Sequence, residues 1–443
     1  MHTLRKVPLF TATALLVYMP FHIFLSQSLS LTIGTLESWK AAKDVVLFAA
    51  LGLTLFLFFW NGLQKKNRQY LIFLGLAALY GLVHILAWLI NRDEISSSGA
   101  VLGTVYNNRL LEFALLGWGS VLVYPGKIAV NTIVKIIIGV STVVCILGIL
   151  QYLLPKDLLT HVGYSIERGV KPNFFIDDKP DLPRIMSTLR DPNSLGAYLI
   201  LPITILSLVW AKRPKIRLMI SGLLLLHVWA LFLTFSRSAW LGAMLSVGLA
   251  LFWTYRKQVL GFARKRWPFI AAAFIVLVFG IFLLRDQYIV QNVVFHSDEN
   301  TTQTDSNNLH VEYAKQGIEG IADDPEGHGP GTAGLVSIRT KSEVVLTENY
   351  FIQVGYEVGV VGLAIFIGAI VFILRQLTRI KNNLSTALIA SFAGITLCSL
   401  LLLTWSNEAV AATWWLLAGF VIAASQGSLV GGNAPKVRRS RKS

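Results

Sequence analysis

The chain is short of cysteine and short of charge. Its 443 residues include 2 cysteines, and Asp, Glu, Lys and Arg together make up 14%. Cys145 and Cys398 both sit inside apolar runs, which argues against a disulfide framework and against a cysteine-based metal site. No period of about 20–50 residues recurs, so a solenoid or propeller is excluded. No low-complexity tract interrupts the chain. No glycine-rich turn is followed by Lys-Ser or Lys-Thr, so the nucleotide-binding P-loop pattern is missing too.

What the chain has is apolar sequence, at 54% of its residues. A helix needs about 20 apolar residues to cross a bilayer. Runs of that kind fall near 7–29, 44–61, 70–90, 106–124, 129–154, 193–211, 217–234, 238–254, 268–284, 350–374, 383–404 and 408–426. About twelve such runs predict an all-α polytopic membrane protein, organised as one integral membrane domain over residues 1–443. The run at 7–29 follows Arg5-Lys6. Its length, and the lack of a small-x-small cleavage pattern, favour an uncleaved first helix over a signal peptide. The run near 106–124 carries Asn107, Asn108, Arg109 and Glu112 in its first turns, a costly set for a membrane helix.

The net charge is +15. Basic residues concentrate in one set of loops: Arg5-Lys6, Lys65-Lys66-Arg68, Lys127, Lys212-Arg213-Lys215-Arg217, Arg256-Lys257 with Arg264-Lys265-Arg266, and Arg375-Arg379-Lys381. The tail 427–443 adds Lys436, Arg438, Arg439, Arg441 and Lys442. None of these stretches contains an acid, and they alternate with loops that hold nearly all the acids. Loops rich in Lys and Arg stay in the cytoplasm, so both termini are expected there. The excess charge is then a topology signal, with some contact between the tail and anionic lipid, and not a nucleic-acid footprint. Two large loops, 155–192 and 285–348, are expected on the extracytoplasmic side. The second predicts a short helix over about 308–321, with Val311, Ala314, Ile318 and Ile321 on one face. Ser306 or Asn307 caps it and Asp324-Pro325 ends it.

Polar residues at the membrane boundary are the candidates for chemistry. Arg237 stands in a turn with Ser236 and Ser238. It either snorkels at the interface or offers its planar fork to phosphate oxygens. Arg184 and Arg190 bracket the turn Asp191-Pro192-Asn193, where Asp191 or Asn193 caps the next helix. A helix N-terminus suits an anion; the alternative is an ordinary cap with solvated arginines. Two arginine turns on one face of the membrane favour the anion site. Gly327-His328-Gly329-Pro330-Gly331 is either a plain loop-closing turn or a close backbone approach to a ligand. His328 within it has the chemistry of a base or donor. Glu348-Asn349-Tyr350 opens an apolar run that also holds Gln353 and Glu357. Glu348 caps a helix or serves a reaction. Glu357, deep in the run, marks a functional site or a buried ion pair.

As a set, these motifs resemble the bacterial O-antigen ligase and polymerase family. The resemblance rests on the Ser236–Trp240 turn, on R-x5-R-D-P-N at 184–193, on P-x-G-x-G-P-G at 325–331 and on E-N-Y…E-x-G-x-x-G at 348–362. It implies a glycosyltransferase at the outer face of the bacterial cytoplasmic membrane. Such enzymes move a glycan from undecaprenyl diphosphate to a lipid or glycan acceptor hydroxyl, with inversion and with no cofactor or required metal. Arg237, Arg190 and Arg184 would hold the diphosphate, and Glu348 or His328 would be the base. Asn193, Ser236, Gly329, Gly331, Asn349, Tyr350 and Glu357 would support them. In the ligases the residue at position 348 is typically His, taken as the base. Glu at this position resembles the polymerase-like members, so ligase and surface-polysaccharide polymerase both stay open. His310 stands where family members often carry an arginine. The implied partners are the carrier-linked donor, the acceptor and the bilayer. Two other classes compete. A polar-solute transporter would set its charges at the bilayer midplane on repeated broken helices, whereas this chain gathers them at the outer boundary. A non-catalytic scaffold would tolerate loss of Arg237 or Glu348.

Overall fold

A computed structural model describes residues 2–125, 130–176, 179–283, 306–334, 336–337 and 345–430. Lys127, residues 284–305 and 338–344 of the second large loop, the basic residues of the tail and the side chain of His310 lie outside this set.

The molecule is a helical bundle. In chain order the helices are α1 (His2–Tyr18), α2 (His22–Leu29), α3 (Leu36–Trp60), α4 (Arg68–Ile90), α5 (Ser97–Val123), α6 (Val130–Leu153) and α7 (Leu158–His161). They continue as α8 (Pro192–Lys212), α9 (Arg217–Leu233), α10 (Arg237–Leu283), α11 (Ser306–Asp323), α12 (Tyr350–Thr378), α13 (Asn383–Ser399) and α14 (Glu408–Val430). Among the described residues, nine helices are long and apolar enough to cross a membrane. They correspond to nine of the expected runs. The other three fall on α5, which carries charge, on α13, which is a shorter apolar helix, and on the second half of α10.

Helix starts follow cap chemistry more closely than hydropathy. The run expected at 44–61 begins at Leu36, because the Thr35 hydroxyl accepts from Ser38 N at 3.2 Å. The helix expected from 106 begins at Ser97, where the Ser96 hydroxyl accepts from Gly99 N at 3.2 Å. Asp191 caps α8, accepting from Ser194 N at 2.8 Å, with Pro192 in the first helical position. Asn349 caps α12 through Phe351 N and Ile352 N, and Asn407 accepts from Ala409 N and Val410 N at the start of α14.

Two expectations change. The basic stretch around Arg256–Arg266 is not a loop. α10 runs through it, with a single break at Tyr255 (φ −118°, ψ 25°). Lys and Arg are good helix formers, so charge alone does not end a helix. The loop 155–192 is not wholly irregular either. Strands β1 (Phe174–Ile176) and β2 (Lys179–Arg184) pair as an antiparallel hairpin. Leu159, Tyr164, Val170 and Met186 form a small cluster that packs on Ile23 and Phe24 of α2, and Arg168 Nε donates to Gln27 Oε1 at 2.9 Å.

The main core lies where α5 meets α14. There a Cβ on Gly117 would come within 2.5 Å of Leu416 O, and one on Gly419 within 2.5 Å of Ala114 O. Small residues allow this backbone contact, the usual basis of helix packing in lipid. Trp118, Trp405, Trp414 and Trp415 fill the space around it. α11 forms, but it begins at Ser306, so Ser306 and Asn307 lie in its first turn and do not cap it, and its packing face differs. Gly317 meets Thr347 and Ile352, Gly320 meets Tyr356, and Ile321 reaches Gly355. Val311 and Ile318 remain 69% and 56% exposed. The two glycines permit a closer seat on α12 than the bulkier residues would.

Candidate functional site

The two arginine turns are tied together. Ile185 N donates to Leu233 O at 3.1 Å. The Arg184 guanidinium donates from Nε to Thr234 O at 2.9 Å and from Nη2 to Asn193 Oδ1 at 3.0 Å. Burial pushes its pKa below the ordinary arginine value; Asp191 opposes the shift and nearby Arg237 adds to it. Arg184 therefore acts as a strut between the turns as well as a charge. Ser236 N donates to Thr234 Oγ1 at 3.2 Å, and the Ser236 and Ser238 hydroxyls lie 3.4 Å apart. Two residues of these turns hold positive φ without being glycine: Ser187 at 54° and Phe235 at 49°.

Beside the turns is a cavity of about 370 Å³. Arg190, Asp191, Asn193 and Ser194 form the wall at the start of α8. Glu348, immediately before the cap of α12, enters the same space, with Leu346, Leu402 and Leu403 as apolar neighbours. Glu348 is the third non-glycine residue with positive φ, at 46°. Lys40, Lys43, Tyr106, Asn407 and Glu408 also line the cavity. The structure thus brings Arg190, Asn193 and Glu348 into one cavity, with Arg184 behind them. Arg237 and Ser236 lie in the adjoining turn and are not among its lining residues.

The glycine turn lies elsewhere. Gly327 sits where a Cβ would come within 2.4 Å of Gly359 N, and Gly359 where one would come within 2.3 Å of Pro325 O. At that point α12 breaks, with Gly359 at φ 68°, ψ −178°. The turn fills the break. His328 N donates to Tyr356 O, Gly329 N to Glu357 O and Val360 N to Pro325 O, each at 2.9 Å. The glycines serve close backbone packing, and Gly329 and Gly331 are buried. The His328 ring stacks on Tyr356 at 3.9 Å and pairs with Asp324 at 3.1 Å. It does not line the cavity that holds Glu348. Glu357 is fully buried and fixes the strap: its carboxylate accepts from Asn107 Nδ2 on α5 and from Ala333 N at 3.1 Å. Tyr350 is buried edge-on against Phe366.

Hydropathy reading missed one cluster. Arg109 Nη2 lies 2.9 Å from Asp44 Oδ1, and Arg109 Nη1 lies 2.9 Å from Glu408 Oε1. Lys43 Nζ lies 3.1 Å from Asp44 Oδ2 and 3.5 Å from Glu408 Oε1. This cage joins α3, α5 and α14 at the cavity. Its signal in the sequence was Arg109 inside an apolar run and the other charges at run ends; such groups in a membrane are tolerated when paired.

Residues 220–367 match the O-antigen ligase family. The O-antigen ligase match runs from within α9 through the Ser236–Trp240 turn, α10, α11, the glycine strap and Glu348 to beyond the break in α12. Arg184, Arg190 and the Lys43–Arg109 cage lie outside the matched stretch. No curated protein matches the chain. The O-antigen ligase match supports a membrane glycosyltransferase-like function.

Proposed function

We propose that the protein transfers a glycan from undecaprenyl diphosphate to an acceptor hydroxyl at the extracytoplasmic end of the bundle, by inversion and without a metal. The observation that carries this reading is the cavity shared by Arg190, Asn193 and Glu348. It combines what a diphosphate leaving group and an attacking hydroxyl each need. Arg190 supplies positive charge at the leaving group, with Arg184 and Arg237 close behind. The N-terminus of α8 adds the positive end of its dipole; Pro192 has no N–H to offer and Ser194 N is already held by Asp191. Glu348 accepts the proton of the acceptor hydroxyl. The hydroxyl oxygen forms a bond to the anomeric carbon as the bond to the diphosphate oxygen breaks, and lipid diphosphate departs. Ser236, Asn193 and Asn349 hold these turns; Gly329, Gly331, Tyr350 and Glu357 hold α12 behind Glu348.

A carboxylate in place of histidine at position 348 favours a second version, in which the acceptor is another carrier-linked glycan and the product is a polymer. The test uses the purified protein, a carrier-linked glycan and each acceptor class in turn. A single transfer to a lipid acceptor supports the ligase, and a ladder of products supports the polymerase. Arg190→Ala should lower the rate by about 10²–10³-fold, the typical cost of removing a group that stabilises developing charge. Full activity in that variant would overturn the diphosphate assignment.

A further inference from the structure

The cavity has two walls of different chemistry. An anion site needs positive charge that is not already neutralised. The wall at the start of α8 offers Arg190. The wall built by α3, α5 and α14 does not offer an equivalent charge. Of its three cations, Lys43 and Arg109 face two carboxylates, Asp44 and Glu408, at 2.9–3.5 Å, and Lys40 pairs with Glu37 at 3.0 Å. A second phosphate gains little there, because it would compete with carboxylates already in place.

That wall instead offers hydrogen-bonding groups held in fixed positions. Asn407 uses its side-chain oxygen to cap α14, accepting from Ala409 N at 3.1 Å and Val410 N at 3.3 Å. The group it presents to the cavity is therefore the amide N–H₂. Tyr106 is fixed by the Arg109 guanidinium, which sits 4.3 Å from the ring centre. Glu408 is held through Oε1 by Lys43 and Arg109. An aromatic ring, an amide donor and a carboxylate, all pre-oriented, are the groups that read hydroxyls and C–H faces. They suit an uncharged polyol.

We infer that the α3–α5–α14 wall, through Tyr106, Asn407 and Glu408, is a sugar-hydroxyl subsite that seats a glycan unit beside the diphosphate on the Arg190 wall. The inference rests on the glycan-transfer reading above and adds the place where the sugar is recognised. The sugar belongs either to the donor or to the acceptor, and the chemistry is the same for both.

Two variants remove polar groups from this wall and leave the fold intact. Asn407→Ser keeps a capping oxygen and deletes the amide donor. Tyr106→Phe keeps the ring under Arg109 and deletes the hydroxyl. Full-length protein in nanodiscs is tested for binding of bare undecaprenyl diphosphate and of the carrier-linked glycan isolated from the producing cells. Transfer kinetics are then measured with the acceptor varied. Binding of the bare carrier should stay unchanged in both variants. A donor sugar predicts that binding of the glycan-bearing carrier weakens by about three- to tenfold per lost hydrogen bond. An acceptor sugar predicts the same change in the acceptor KM with donor binding unchanged. Equal weakening of the bare carrier, or no change in either arm for either variant, overturns the subsite. Absence of carrier binding and of transfer in the unsubstituted protein would instead overturn the glycan-transfer reading.

Discussion

Glu348 occupies the left-handed region at φ 46°, where a non-glycine residue costs about 1 kcal/mol or more. Ser187 and Phe235 do the same, and each of the three lies in one of the three polar motifs beside the cavity. Such strain persists only when the surroundings impose it, and it collects at functional sites. Asparagine tolerates this conformation, so Glu348→Asn is expected to leave thermal stability unchanged or slightly raised. Transfer should fall by about 10²–10⁴-fold, the usual contribution of a general base. Unaltered transfer in Glu348→Asn would remove Glu348 from the chemistry. His328 gives the contrasting prediction. Its contact with half-exposed Asp324 is worth at most about 1 kcal/mol, so His328→Ala should keep most of the transfer rate. A loss as large as that of Glu348→Asn would move the base to the strap.

At the scale of elements, the break in α12 matters most. Gly359 combines φ 68° with ψ −178°, a region open essentially to glycine alone. Pro325 O fills the space a side chain would need. Gly359→Ala is expected to expel the strap and destabilise the protein by at least about 1–3 kcal/mol, read as a lower unfolding temperature by tryptophan fluorescence in detergent. Glu357→Ala should act on the same joint, because it leaves the Asn107 amide and Ala333 N–H buried without their acceptor. The expected cost is about 1–3 kcal/mol for each orphaned group. An unfolding temperature equal to that of the unsubstituted protein in both variants would show that the strap is not held by this contact.

The whole molecule is held at the cavity by the Arg109 cage, which joins three helices distant in sequence. Removing one partner of a buried pair typically costs about 3–5 kcal/mol, because the other charge stays buried. Arg109→Ala is therefore expected to lower stability more than any single change in the arginine turns. A second prediction concerns orientation. Cys145 and Cys398 are both buried, so new surface cysteines can be labelled against a low background. A membrane-impermeant maleimide should label Glu167→Cys in intact spheroplasts and leave Lys215→Cys unmodified, both positions being exposed. The opposite pattern would invert the charge-based topology.

The sequence by itself determined the apolar runs, the alternation of basic and acidic loops, and the identity of the polar motifs. These are properties of composition along the chain, and cap residues such as Asp191 and Asn349 act within a few positions of themselves. The tertiary structure decided which motifs share a space. It placed Arg190 and Glu348 in one cavity, with Arg184 bound to Asn193 behind, and it set His328 against Tyr356 outside that cavity. It also joined Lys43, Asp44, Arg109 and Glu408 into one neutral cage. Pairing between residues hundreds of positions apart depends on which helices pack together. Close backbone contact, as between Gly117 on α5 and Leu416 on α14, settles that packing, and local sequence carries no record of it.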